Sequence, residues 1–226
     1  MTTTSISDQV GEFNTGFSAQ IGPDLSAVFD VEQQELTRAG VPAQAVKTGD
    51  VVADAPLVGL DGQPVNLFSV TAGRPAVLVF YRGAWCPYCN ITLRTYERDL
   101  RPELNRRGIA LVAISPQTPD ASTAAVQGGE LNFPVLSDPS NALVRALGIV
   151  TEPSAAARGA HTELGFDVAD SNADATAGIP FPTVLIIDAD GTVRFADVHV
   201  DYTTRTEVPE ILAALAVLSD EAVASV

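Results

Sequence analysis

The chain has 226 residues, 46% of them hydrophobic, and a positive mean hydropathy, which is enough to build one sizeable core and excludes a disordered chain. Its formal net charge of −15 excludes nucleic acid and anionic membrane surfaces as partners, since both would repel it. The N-terminus lacks a basic start and an apolar h-region, and no run of about 20 apolar residues occurs, so a cytoplasmic protein is expected.

Residues 1–47 carry no obvious catalytic side chain; Leu25, Val28, Phe29, Val31 and Leu36 allow a helix or two, and Gly40-Val41-Pro42 ends the region. This N-terminal helical arm has two readings: packing on the domain or on a second subunit as a homodimer, or a surface appendage. Residues 48–226 are read as the catalytic domain. It opens with DVVADAPLVGLDGQPVNL, a strand and a turn at Asp61-Gly62.

The stretch from Val77 to Cys89, VLVFYRGAWCPYC, holds most of the chemistry. Ala76 to Tyr81 reads as a buried strand, Arg82-Gly83-Ala84 breaks it, and helical periodicity begins at Pro87. Two thiols, Cys86 and Cys89, therefore sit where a strand hands over to a helix. With Cys86 as N-cap, Pro87 falls at the first helical position, where its fixed φ fits and its missing N–H costs nothing. The N–H groups of Tyr88 and Cys89 are expected to face the Cys86 sulfur and, with the helix dipole, to lower its pKa from about 8.5 into roughly the 3.5–7.5 range. Cys89 returns to the same helical face and can close a disulfide. A structural disulfide over so short a loop would constrain the unfolded chain little. Two Cys and two His, the latter far away in sequence, offer no closed zinc set, so no metal or other cofactor is expected. CxxC beside a βαβ pattern is a redox signature.

Leu93, Tyr96, Leu100 and Leu104 predict one long helix ending at Gly108, with Pro102 kinking it. Ile109–Ile114 is a second buried strand, so strand, helix and strand make a parallel crossover. An Ala-rich helix to Gly128, a strand at Phe133–Leu136 and a helix over Pro139–Gly148 follow. From Ile149 to Gly178 periodicity fails, and a long lid-like or mobile excursion is expected. VLIID, a turn at Ala189-Asp190-Gly191 and TVRFADV predict a hairpin. The last helix has Ile211, Leu212, Leu215 and Leu218 as its apolar stripe.

The blocks FYRGAWCPYCN, LVAISPQTPD, FPVLSDPSNALVRALGI, FPTVLIIDADGTVRF and DYTTRTEVPEIL together resemble the thioredoxin superfamily, in its peroxiredoxin-like branch of the alkyl hydroperoxide reductase/thiol-specific antioxidant family with a CxxC. The resemblance covers residues from about 48 to 218. It implies an α/β thioredoxin-like fold, a central mixed sheet flanked by helices with the peroxiredoxin insertion between Ile109 and Gly148. It also implies that Pro182 is a cis proline which, with Thr183, faces the redox pair. Two departures bear on mechanism. Typical members place a Thr where Gly83 stands, and an Arg on the later strand where this sequence has Pro182. Thioredoxins commonly bury an Asp where Phe80 stands.

The activity implied is a thiol peroxidase: Cys86 attacks a hydroperoxide, Cys89 resolves the sulfenic acid, and a thioredoxin-like or other dithiol resets the disulfide. The alternatives are a thioredoxin-like protein disulfide oxidoreductase and a redox-responsive binding module with an acidic docking surface. Arg82 is a candidate thiolate support or a surface ion-pair partner. Trp85 offers a flat ring beside the disulfide or serves as packing. Tyr88 completes CPYC, as in glutaredoxins. His199 is expected on the solvent side of its strand, and His161 in the excursion, both away from the thiols.

Overall fold

A computed structural model describes residues 4–224, with side-chain surroundings as far as residue 217. Helix α1 (Ile6–Ala39) is followed by strands β1 (Pro56–Val58) and β2 (Pro64–Asn66), helix α2 (Leu67–Thr71), strand β3 (Ala76–Phe80) and helix α3 (Pro87–Thr95). One π-helical turn (Tyr96–Leu100) joins α3 to α4 (Arg101–Arg106), and β4 (Ala110–Ser115), α5 (Pro119–Gly129), β5 (Val135–Ser137) and α6 (Ala142–Ala146) complete the next units. The chain continues through β6 (Val150–Thr151), α7 (Ala155–Glu163), α8 (Val168–Ser171), β7 (Ile179–Pro180), β8 (Thr183–Ile187), β9 (Val193–Val198) and α9 (Val208–Ala224).

Among the described residues the main sheet has seven strands in the order β2-β1-β5-β4-β3-β8-β9, parallel for β3, β4 and β5 and antiparallel elsewhere, with β6 and β7 forming a separate pair. This is the mixed sheet flanked by helices that the resemblance implies. Every residue of β3, β4 and β8 is buried, which explains why these strands read as unbroken apolar runs: helices cover both faces. Period two then sorts the side chains. Val77, Val79 and Tyr81 pack with Cys86, Cys89, Leu93 and Tyr96 on one face, whereas Leu78 and Phe80 pack with Leu143, Val144 and Leu185 on the other. The redox pair thus belongs to the core of one face.

The long helix predicted around Pro102 is accommodated by the π turn immediately before that proline, which absorbs the missing N–H. Tyr96, within the turn, is fully buried and donates its hydroxyl to the Thr206 carbonyl at 2.6 Å. The excursion is more ordered than its sequence suggests, because Ser154 caps α7 through Ala157 N–H and Asp167 caps α8 through Ala169 N–H. In α9, Ile211 and Leu215 are buried as expected; Leu218 lies outside the residues whose side chains are described.

The arm packs on its own chain. Helix α1 bends at Gly22 (φ 81°, ψ 172°), followed by Pro23, a pairing that no straight helix accepts. Its first turn is held by the Glu207 carboxylate, which accepts from Ile6 N–H (3.0 Å) and Ser7 N–H (2.7 Å). Beyond the bend, Glu32 accepts from Ser154 N–H at 2.8 Å, and Gln33 bridges the Val200 carbonyl and Tyr202 N–H. Both arms of the bent helix are therefore fastened to the body of the same chain. No helix among the described residues is long and apolar enough to cross a membrane.

Candidate active site

Cys86 is the N-cap of α3 and Pro87 its first residue, so the local geometry follows the sequence. The loop before it is pinned by side chains: Ala84 N–H donates to Gln117 Oε1 at 2.6 Å, and Asn90 Nδ2 donates to the Ala84 carbonyl at 2.8 Å. The two sulfurs are unbonded and 3.1 Å apart, with Cys86 and Cys89 exposing only 1% and 0% of their surfaces.

The charge is distributed differently from expectation. No N–H of the first turn caps the Cys86 sulfur. Burial, and then the neighbouring Cys89, push the Cys86 thiol well up, with Arg82 and Arg205 opposing. Burial also opposes ionisation of Cys89, yet the hydrogen bond from Cys86 and the Arg205 guanidinium hold it well below the ordinary thiol value. The pair therefore shares one negative charge and one proton, with the Arg205 guanidinium as the cation that favours the charge. Arg205 Nη2 lies 3.2 Å from the Cys89 sulfur and 4.0 Å from that of Cys86, while Nη1 donates to the Tyr202 and Thr204 carbonyls. An arginine thus stands at the thiols although the later strand lacks one. Spacing gave no hint of it, since 119 residues separate it from Cys86; the only signal was its place inside the block DYTTRTEVPEIL.

Arg82 is buried and its guanidinium carbon sits 4.9 Å from the Trp85 ring and 4.1 Å from the Tyr202 ring. Among the described residues no carboxylate pairs with it, so it is not a surface ion-pair partner. Tyr88 donates its hydroxyl to Asn14 Oδ1 of α1 at 2.8 Å, and burial pushes its phenol up to about 12. Pro182 and Thr183 line, with Cys89, His199 and Arg205, a void of about 10 Å³. No cis peptide bond occurs among the described residues, so Pro182 is trans, which corrects the implied cis proline; its carbonyl accepts from His199 N–H in an ordinary strand pairing.

His161 lies in the former excursion as read, and neither histidine is fully exposed. His199 is half-buried and bonds Asp197 (2.9 Å) and Thr204 (2.7 Å), and that contact with His199 holds the Asp197 carboxyl low despite its burial. His161 is buried among the rings of Phe29, Trp85 and Phe166; burial, with Arg82 nearby, pulls it down to about 4, so its ring is neutral at pH 7. Among the described residues no group of three His, Cys, Asp or Glu side chains is gathered to hold a metal ion.

Gly83 (φ 150°) explains the departure at the Thr position. A Cβ there would lie 2.5 Å from Trp85 Nε1 and 2.9 Å from the Gln117 amide carbon that pins the loop. Gly83→Thr is therefore expected to displace Trp85 and lower both melting temperature and thiol reactivity, a result read by thermal unfolding and thiol titration. A variant as stable and reactive as the parent would show that the loop yields freely.

Comparison with known proteins places this geometry. Residues 48–196 match the AhpC/TSA family. Peroxiredoxin Bcp of Escherichia coli (strain K12) is 29% identical over 109 residues, 48% of this chain and 69% of that one. A putative peroxiredoxin of Mycobacterium tuberculosis is 33% identical over 106 residues, 46% of this chain and 67% of that one. Among solved structures, peroxidoxin BcpB from Mycobacterium tuberculosis superposes with a TM-score of 0.58 at 24% identity, over 76% of this chain and 97% of that one. Reduced Prx3 from Vibrio vulnificus, in complex with hydrogen peroxide, gives 0.59 at 21%, over 75% and 99%. These two likenesses establish the fold.

Proposed function

Because this chain belongs to the AhpC/TSA family, we propose that it is a thiol peroxidase in which Cys86 and Cys89 carry a dithiol–disulfide cycle. The observation that carries this reading is the pair itself: two sulfurs 3.1 Å apart, one charge between them, and Arg205 reaching both. Cys86 faces a chamber open to small molecules; Cys89 faces only the small void. With the pair's shared proton on Cys89, the Cys86 thiolate attacks the terminal oxygen of an arriving hydroperoxide. The O–O bond breaks, the alkoxide or hydroxide leaves and takes up a proton, and Cys86 becomes a sulfenic acid. Cys89 then displaces water from it, forming the disulfide. The net change is one hydroperoxide and two thiols to one alcohol, one water and one disulfide.

Arg205 is the group assigned to stabilise the charge moving between sulfur and leaving oxygen, with Arg82 as a second cation held between two rings. Trp85, Pro87 and Tyr88 shape the entry, and Pro182 and Thr183 wall in Cys89. The family implies a thioredoxin-type dithiol as the reductant of the disulfide; a cytoplasmic setting would supply one. The disulfide oxidoreductase reading is disfavoured by the likeness of the chain to peroxiredoxins rather than to thioredoxins.

Trp85, the sole tryptophan, adjoins the pair and reports its oxidation by fluorescence. Mixing reduced protein with hydrogen peroxide or an organic hydroperoxide is expected to oxidise the pair about 10²-fold or more faster than free cysteine at matched thiolate concentration. Rates no better than free cysteine, with ready reduction of insulin, would reverse the assignment.

A further inference from the structure

The arm lies outside the matched family segment, yet it forms one wall of the chamber above Cys86. Phe17 and Phe29 of α1, Trp85 and Tyr88 of the redox loop and helix, and His161 and Phe166 of the former excursion enclose a volume of about 490 Å³. These rings touch one another across three separate segments: Phe29 with His161 at 5.4 Å, and Trp85 with Phe166 at 5.5 Å. Two of the polar groups on these walls are committed to the protein itself. Asn14 takes the Tyr88 hydroxyl, and Gln33 is spent on backbone groups of Val200 and Tyr202. The His161 ring is neutral, while Ser26 Oγ and Trp85 Nε1 are buried without partners among the described residues and Asp30 and Arg82 bring charge to the lining, so a few polar groups stand among the rings.

Such a chamber is far larger than hydrogen peroxide requires, a molecule not much bigger than water with its share of about 30 Å³ of liquid. It falls within the range of about 300–1,000 Å³ found for pockets that enclose drug-sized organic ligands, and its lining is of the apolar, aromatic kind those pockets use.

We propose that helix α1 is a specificity element: together with α7 it closes an aromatic chamber that takes the aryl or branched alkyl body of an organic hydroperoxide and favours such substrates over hydrogen peroxide. The proposal rests on the peroxidase reading. The organic group stays in the chamber while the terminal oxygen passes to Cys86 and the alkoxide leaves as the alcohol, so binding energy from the rings acts on the reacting oxygen's position.

The test uses the full chain and measures thiol loss in single-turnover quenched flow with cumene hydroperoxide, tert-butyl hydroperoxide and hydrogen peroxide, each divided by its rate with free cysteine. The expected order is cumene, tert-butyl, hydrogen peroxide, the first exceeding the last by tenfold or more. Phe17→Ser and Phe29→Ser should bring that ratio toward one, and Ser26→Phe, which fills the chamber, should lower it as well. Should a variant fail to fold, the ratio in the parent protein decides. Hydrogen peroxide reacting as fast as cumene hydroperoxide, or variants slowing all three equally, overturns the specificity role and leaves the peroxidase standing. If no hydroperoxide outpaces free cysteine, both readings fall together.

Discussion

Cys89→Ser is expected to permit one peroxide-driven oxidation of Cys86 and abolish every turnover after it. Serine does not ionise in this range, so the Arg205 guanidinium, 4.0 Å from Cys86, then favours ionisation of the one remaining thiol. The first step therefore survives. The sulfenic acid has no second sulfur 3.1 Å away to condense with, and it persists or oxidises further. Mass spectrometry after dimedone labelling should find a single adduct on Cys86, while steady-state peroxide consumption falls to background. Cys86→Ser should lose even the first step, because Cys89 is fully buried and borders only a void of about 10 Å³, too small for a peroxide beside its neighbours. Continued multiple turnover in Cys89→Ser would remove it from the cycle.

Arg205→Met should slow peroxide oxidation by about 10²–10³-fold at neutral pH, the usual cost of losing one preorganised charge-stabilising donor. The pH profile separates this from mere loosening. In the parent protein the pair holds a thiolate below the ordinary thiol pKa, so reactivity is present at neutral pH and fades only as pH falls through that depressed value. Without the guanidinium the pair's apparent pKa rises, since burial then acts unopposed by the cation 3.2 Å from Cys89. The acid limb of the profile should shift upward, with part of the lost rate recovered at high pH and partial rescue by Arg205→Lys. A uniform fall at every pH would make Arg205 structural only.

What the sequence made legible was local. The apolar runs of β3 and β4, the turn before β9 and the N-cap position of Cys86 depend on neighbours in the chain, and each is found where the pattern places it. The site's completion depends on residues brought from far away. Arg205 arrives from beyond the last strand, and the chamber wall from an arm whose residues are mostly half-buried or exposed and so carry little periodic signal. The electrostatics of the pair were only partly legible for a similar reason: helix position is visible in sequence, but burial and a cation nearer the second sulfur are not. In the excursion, Ser154 and Asp167 were readable as caps, yet short Ala- and Gly-containing helices gave no apolar stripe to pair with them.

The fastening of α1 at both ends has a consequence for timing. In the proposed cycle a hydroperoxide needs only the mouth of the chamber, whereas a protein dithiol would have to bring its own sulfur against Cys86 past the arm that walls the chamber. Oxidation is then set by diffusion and chemistry, and reset by how often the Glu207 and Glu32 latches release the helix about its bend at Gly22. On that cycle the arm would act as a delay between its two halves, and the lifetime of the disulfide would be a property of a hinge rather than of the sulfur it protects.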